Sequence, residues 1–203
     1  MTDLLVGLDL DNTIVDYGSV IAAVARERAL LPASFAGSKR EVRDALRLLP
    51  GGEHEWTRLQ AEIYGPRIDG AQAFPGVLAF LDYCSEHAIT VVIVSHKTEY
   101  AGLGGTCNLR DAARSWLRTN GILGARVDET HLHFTSTRGE KLTRIRDLRP
   151  ALFVDDLSEI FLEDAFPSDV EPWLFAPDGE VPPSESLGGI RHERTHRGHQ
   201  SSS

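Results

Sequence analysis

The sequence predicts an α/β fold: a doubly wound, mainly parallel sheet. Three runs carry that reading. Leu4–Asp9, Thr90–Ser95 and Ala151–Asp156 are short, almost wholly apolar, and close on a polar or acidic residue. Unbroken apolar runs suit strands covered on both faces, whereas strands with one wet face alternate. Helical patterns lie between the runs, and strand–helix alternation builds a parallel sheet through right-handed crossovers.

In chain order, Leu4–Asp9 is the first strand. The pattern from about Gly18 to Ala73 is then helical, with no convincing strand. Ser38 and Glu41 have capping-box spacing and open an amphipathic helix carrying Val42, Ala45, Leu46 and Leu49. Trp56, Leu59 and Ile63 mark a further helix, ended by Gly65-Pro66. Pro75-Gly76 turns the chain into a helix over 77–86, where Val77, Phe80, Leu81 and Cys84 share a face. The strand over 90–95 follows, then a helix over 111–119 with Ala113, Trp116 and Leu117 inward, stopped by Asn120-Gly121. His131–Thr135 and Pro172–Phe175 are weaker strand candidates. Helices are expected over 140–148 and 158–165. The expected organisation is a core over 1–17 and 74–180, a small all-helical cap insertion over 18–73, and a disordered tail over 181–203 rich in Ser, Gly, His and Arg.

Composition narrows the function. With 203 residues, 41% hydrophobic and 25% charged, the chain is of ordinary globular type and has room for one domain with a modest insertion. No apolar run approaches the roughly 20 residues of a membrane helix. Two cysteines, Cys84 and Cys107, make no disulfide framework and suit a reducing cytoplasm, and the N-terminal segment is too short and too acidic for a signal peptide. A net charge of -9 argues against a general nucleic-acid binder.

The chemistry is expected at strand ends. Asp9 and Asp11 stand two apart where the first strand finishes, and i, i+2 side chains of extended backbone point the same way. Ligands of open α/β sheets bind at the carboxyl ends of strands. Asp155 and Asp156 close the third strong strand, so as many as four carboxylates converge if the strands are neighbours. Their repulsion calls for a hard divalent cation with oxygen ligands, and Mg²⁺ is the usual ion where phosphate is also bound. Ser95 closes the second strand with a hydroxyl that can reach a phosphoryl oxygen. Lys141 opens a helix, where a cation and a helix N-terminus both favour an anion.

These residues in this order resemble the four motifs of the haloacid dehalogenase superfamily: Asp9-Leu10-Asp11-Asn12-Thr13, Ser95, Lys141 and Asp155-Asp156. The resemblance covers about residues 4–176. It implies a Rossmann-like core, a small helical cap inserted after the first motif, and Mg²⁺-dependent hydrolysis of a small phosphorylated metabolite. It makes Asp9 the nucleophile that becomes an aspartyl-phosphate and Asp11 the general acid/base. Lys141 would stabilise nucleophile and phosphate. Asp9, Asp11 through its backbone carbonyl, and Asp155 or Asp156 would hold the metal. Asn12, Ser95, His96 and Lys141 are the candidate phosphate contacts, with Asn12 standing where the phosphatase branch commonly has glycine. The acid role requires a raised proton affinity at Asp11, which the charge of Asp9 would supply. Phosphotransfer to an acceptor and a non-catalytic phosphate-binding module are the alternatives. Halide displacement is disfavoured by the presence of Asp11 and Asp155-Asp156.

Other features are expected to be structural. His131 and His133 lack partners for a zinc site. Gly102–Gly105 reads as a flexible loop beside the pocket, with His96 and Lys97 as possible substrate contacts. The charged residues of the helical segment read as a solvated surface, one or two arginines of which could face an anionic substrate.

Overall fold

The computed structural model describes residues 4–101 and 106–177, together with the backbone of 191–193. The Gly102–Gly105 loop lies outside these residues, as does most of the tail. Six parallel strands form one sheet: β1 (Leu5–Leu8), β4 (Thr90–His96), β5 (Leu132–Thr135), β6 (Leu152–Asp155), β7 (Glu171–Phe175) and β8 (Arg191–Glu193), in the spatial order β5-β4-β1-β6-β7-β8. Two further strands, β2 (Val15–Asp16) and β3 (Gln72–Ala73), pair antiparallel as a separate ribbon.

The helices are α1 (Gly18–Glu27), α2 (Lys39–Arg47), α3 (Gly52–Tyr64), α4 (Val77–Glu86), α5 (Leu109–Thr119), α6 (Arg138–Leu148) and the single turn α7 (Ser158–Phe161). The doubly wound fold class expected from the sequence is the one observed. The strand candidates at 131–135 and 172–175 both belong to the sheet.

Alternation along β4 explains why its sequence is apolar throughout. Val91 and Ile93 enter one core, shared with Leu8, Trp116 and the helices α1 to α3. Val94 enters a second core on the opposite face, with Ile145, Phe153 and Val170. Gly7 lets this second layer close: a Cβ there would stand 2.4 Å from Cδ2 of Phe153.

Local signals set the helix ends. Ser38 and Glu41 form the capping box of α2, and Thr137 accepts from the Glu140 amide at the start of α6. Helix α5 begins two residues before the expected Asp111, because Asn108 caps it by accepting from the amides of Arg110 and Asp111. Helix α7 stops at Phe161 rather than running to residue 165. Phe161 and Phe166 instead meet edge to face at 5.2 Å, and the Phe166 amide donates to the Glu163 carbonyl in a turn.

Three short strands, β2, β3 and β8, leave no signal in the sequence. At two residues, β3 is too brief to leave a period in the segment read as wholly helical. Within the tail expected to be disordered, residues 191–193 pair in parallel with β7; the rest of 181–203 lies outside the described residues. No helix among the described residues is long and apolar enough to cross a membrane.

Strand order fixes where a ligand can sit. From β1 the chain builds outward through β4 and β5, then returns to build β6, β7 and β8 on the other side. β1 is therefore the switch point of the sheet, where adjoining connections leave on opposite faces and a crevice opens beyond the strand ends. Leu8 pairs with both Ile93 and Val154, so the residues after it emerge between the ends of β4 and β6.

Candidate active site

Asp9 extends the ladder by one bond, its amide donating to the Val154 carbonyl at 2.8 Å. The chain then reverses in a tight turn. The amides of Ile14 and Val15 both reach the Leu10 carbonyl at 3.0 Å, and Asn12 takes φ 64° at the bend. Asparagine tolerates this left-handed conformation better than most non-glycine residues, so it can stand where glycine is common.

Lys141, in the first turn of α6, links two strand ends. Its Nζ lies 2.5 Å from Asp9 Oδ1 and 2.6 Å from Asp155 Oδ2. All three residues are buried, and Lys141 is only 2% exposed. The Leu157 amide donates to Asp155 Oδ1 at 3.0 Å, holding that carboxylate from behind.

One carboxylate oxygen each from Asp9, Asp155 and Asp156 lies within 4.8 Å of the others. Burial raises the proton affinity of Asp9 well above the usual range; Lys141 opposes this, while Asp155, Asp156 and Asp11 add to it. Burial and then the charge of Asp155 push Asp156 up to about 7. For Lys141, burial alone would favour the neutral amine, but Asp9 and Asp155 outweigh it and hold the ammonium charged. One ammonium among three crowded carboxylates leaves excess negative charge. A hard cation with oxygen ligands fits that donor set.

Asp11 has a different environment. Its carboxylate accepts from Lys97 Nζ at 3.0 and 2.8 Å and from the Tyr17 hydroxyl at 2.6 Å. Burial would raise its pKa, but Lys97 and Tyr17 together lower it. The sequence-based expectation of a raised proton affinity at Asp11 is corrected by this finding. Lys97, only 3% exposed, outweighs the like charges. Nor does the Asp11 carboxylate join the three that could share a cation; the resemblance assigns that role to its backbone carbonyl.

The remaining candidates divide. Ser95 lies near the end of β4, buried at 1% exposure, and its carbonyl accepts from the Thr135 hydroxyl at 3.3 Å. His96 is exposed and turns its ring nitrogen to the Ser136 carbonyl at 3.1 Å, beside the loop before α6. Arg110 braces the same edge, donating to the Lys97 carbonyl and the Ser136 hydroxyl, each at 2.9 Å.

Sequence reasoning missed three residues. Tyr17 reaches Asp11. Lys39, the first residue of α2, donates to Asn12 Oδ1 at 2.9 Å and to the Tyr64 hydroxyl at 2.7 Å. The Tyr64 ring lies under both Lys39 and Lys97, with centroid distances of 5.4 and 4.9 Å, and meets Tyr17 edge-on at 4.6 Å. The capping box and the apolar spacing mark α2 in the sequence, but nothing local says that its first side chain folds back onto Asn12. A cavity of about 380 Å³ lined by Thr90, Arg126 and Asp128 lies at the amino end of β4, away from these groups.

No protein-family model matches the chain, and no curated protein matches it. Solved structures match along nearly its whole length. A HAD family hydrolase from Deinococcus radiodurans R1, crystallised with phosphate and sodium, is 17% identical with a TM-score of 0.57, covering 96% of this chain and 92% of its own. The HAD-type hydrolase YfnB of Bacillus subtilis, bound to magnesium, is 11% identical with a TM-score of 0.56, covering 94% of each chain. A HAD-superfamily hydrolase from Ehrlichia chaffeensis is 16% identical with a TM-score of 0.52, covering 95% and 93%. At these identities the likeness is one of fold.

Proposed function

We propose, on the premise that this chain has the haloacid dehalogenase-like fold, that it is a Mg²⁺-dependent phosphatase acting on a small phosphorylated substrate through an aspartyl-phosphate. The observation that carries this reading is Lys141 bridging Asp9 and Asp155 while Asp156 stands within reach of both. A buried nucleophile, a fixed cation and a shared carboxylate cluster form a phosphoryl-transfer arrangement that a structural ion pair does not require.

Asp9, Asp155 and Asp156 would hold the ion, which supplies positive charge against the phosphate oxygens. Lys141 fixes Oδ1 of Asp9, leaving Oδ2 to attack phosphorus. The bond from phosphorus to the leaving oxygen breaks as the carboxylate–phosphorus bond forms, and the departing oxygen takes a proton from Asp11. Water then attacks phosphorus, the bond from phosphorus to the Asp9 oxygen breaks to return the free carboxylate and release phosphate, and Asp11, ionised again, accepts the proton of the water. Lys97 and Tyr17 favour the ionised form of Asp11 and so suit the second half-reaction. In the first half-reaction, protonation of Asp11 requires Lys97 to release one of its oxygens. Ser95, Asn12 and Lys141 are proposed to contact the phosphoryl group. His96, turned toward Ser136, is the weakest of the candidate contacts.

The test is phosphate release from a panel of phosphate monoesters with Mg²⁺, beside Asp9→Asn. Release that Asp9→Asn lowers by about a thousandfold or more supports the reading. No release from any ester, or equal release by Asp9→Asn, refutes it.

A further inference from the structure

Lys39 is the one cation of the α1–α3 segment whose observed hydrogen bonds reach the turn that follows Asp9. Each arginine of that segment instead has an oxygen of the segment itself as partner, as Arg28 has Glu55, Arg47 has Glu53 and Arg67 has Glu27. Lys39 departs from this pattern. Its two hydrogen-bond partners, Asn12 Oδ1 and the Tyr64 hydroxyl, are both neutral. The charge is thus delivered to the mouth of the site without a paired carboxylate, close enough to act on both Asp11 and Asp156.

Its surroundings hold it there. Asn12 and Tyr64 fix the ammonium from two sides and leave one of its three protons uncommitted. The Tyr64 ring also lies against Lys97, whose own charge is taken by both oxygens of Asp11. Lys97 is therefore ion-paired directly, whereas Lys39 meets Asp11 and Asp156 only at longer range. An ammonium that is half-buried, oriented by an amide and a phenol oxygen, and in no direct ion pair keeps a hydrogen-bond donor for an anion from outside the protein.

The phosphoryl group has its own cation in Lys141, which is buried between Asp9 and Asp155 at the floor of the site. Lys39 arrives from a different element, α2, and reaches the turn at Asn12. We infer that Lys39 is a specificity-determining residue that binds a second anionic group of the substrate, so that the preferred substrates are phosphate monoesters carrying a carboxylate or a second phosphate. This rests on the phosphatase reading for the first group only; recognition of the second needs no turnover.

The experiment compares kcat/KM for carboxymethyl phosphate and glycol bisphosphate with that for glycol monophosphate, which has the same short skeleton and no second charge. The full chain with Mg²⁺ is used, alongside Lys39→Gln and Lys39→Arg. The chain should favour at least one doubly anionic ester by about tenfold or more, the scale of one charge-assisted hydrogen bond. Which of the two it favours tells carboxylate from phosphate recognition. Lys39→Gln should bring that ratio close to one, and Lys39→Arg should retain most of it. A residue that merely braces the fold, or that serves the phosphoryl group itself, would change both substrates together and leave the ratio intact; that result overturns the inference.

Calorimetric binding of the same three esters to the same variants supplies a readout independent of catalysis. Selective binding that Lys39→Gln abolishes, without turnover, upholds the Lys39 assignment and removes the phosphatase reading. Turnover with no preference for a second anion does the reverse.

Discussion

Lys97 donates to both carboxylate oxygens of Asp11, at 3.0 and 2.8 Å, across 86 positions of sequence. With the Tyr17 hydroxyl it outweighs burial and keeps Asp11 below the ordinary carboxylate range. Lys97→Met removes the strongest of these influences, and burial then raises the Asp11 pKa. The acidic limb of the pH–rate profile should move to higher pH by about one unit or more, a size typical of losing a close ion pair. A profile recorded with an aryl phosphate checks this; an unmoved limb contradicts the assignment of Asp11 as the titrating base.

Lys141 should matter to stability as well as to the proposed chemistry. Lys141→Met leaves Asp9 and Asp155 facing each other, buried and without their shared cation. Breaking a buried pair in this way costs about 3–5 kcal/mol. Urea unfolding of the metal-free protein at neutral pH should show that loss, and phosphate release should disappear with it.

The crowded carboxylates also set a pH dependence. Asp156 rises from 3.8 to about 7, through burial and the neighbouring Asp155, and Asp9 rises in the same direction. A carboxyl whose folded pKa exceeds its unfolded value binds its proton better in the native state. Its stabilising contribution is complete below the unfolded pKa and is lost as pH climbs through the folded one. The Tm of the metal-free protein should therefore fall between about pH 5 and pH 8, and Asp156→Asn should flatten the fall. Added Mg²⁺ should raise Tm more at the upper end, because ligands bind metal when deprotonated. Thermal scans at several pH values decide it.

Gly7 is a purely structural test. Its alanine Cβ would meet the Phe153 ring at 2.4 Å, inside the strand pair that carries Asp9 and Asp155. Gly7→Ala should cost about 1–3 kcal/mol, and Phe153→Leu in the same chain should recover part of it. Chemical denaturation of both variants measures this.

Much of the framework was legible from residues alone because the signals were local. An apolar run as short and as β-branched as that within Thr90–Ser95 fits a strand covered on both faces, and the α4 bounds follow from Pro75-Gly76 and the spacing of Leu81 and Cys84. The acidic strand ends were legible for the same reason. Partners of those side chains were not. Whether Lys141 is a surface lysine or a buried bridge depends on how α6 packs against the sheet, and another basic residue, Arg138, lies close by in the sequence; in the structure Arg138 pairs with Glu163 at the surface. Lys39 and Tyr17 were invisible because their contacts arise from how the helices fold back over the Asp9 turn. Asp11 was misjudged electrostatically: the sequence placed Asp9 beside it but could not show Lys97 on its other side.

The short β2–β3 ribbon has a consequence for how such a protein changes over time. Val15 pairs with Ala73 and Asp16 with Gln72, so the chain leaves the sheet layer and returns to it side by side. Changes in the length of the loops between α1, α2 and α3 need not alter the distance between the ends of β1 and β6. The strand ends that carry Asp9 and Asp155 can thus stay in register while those loops vary.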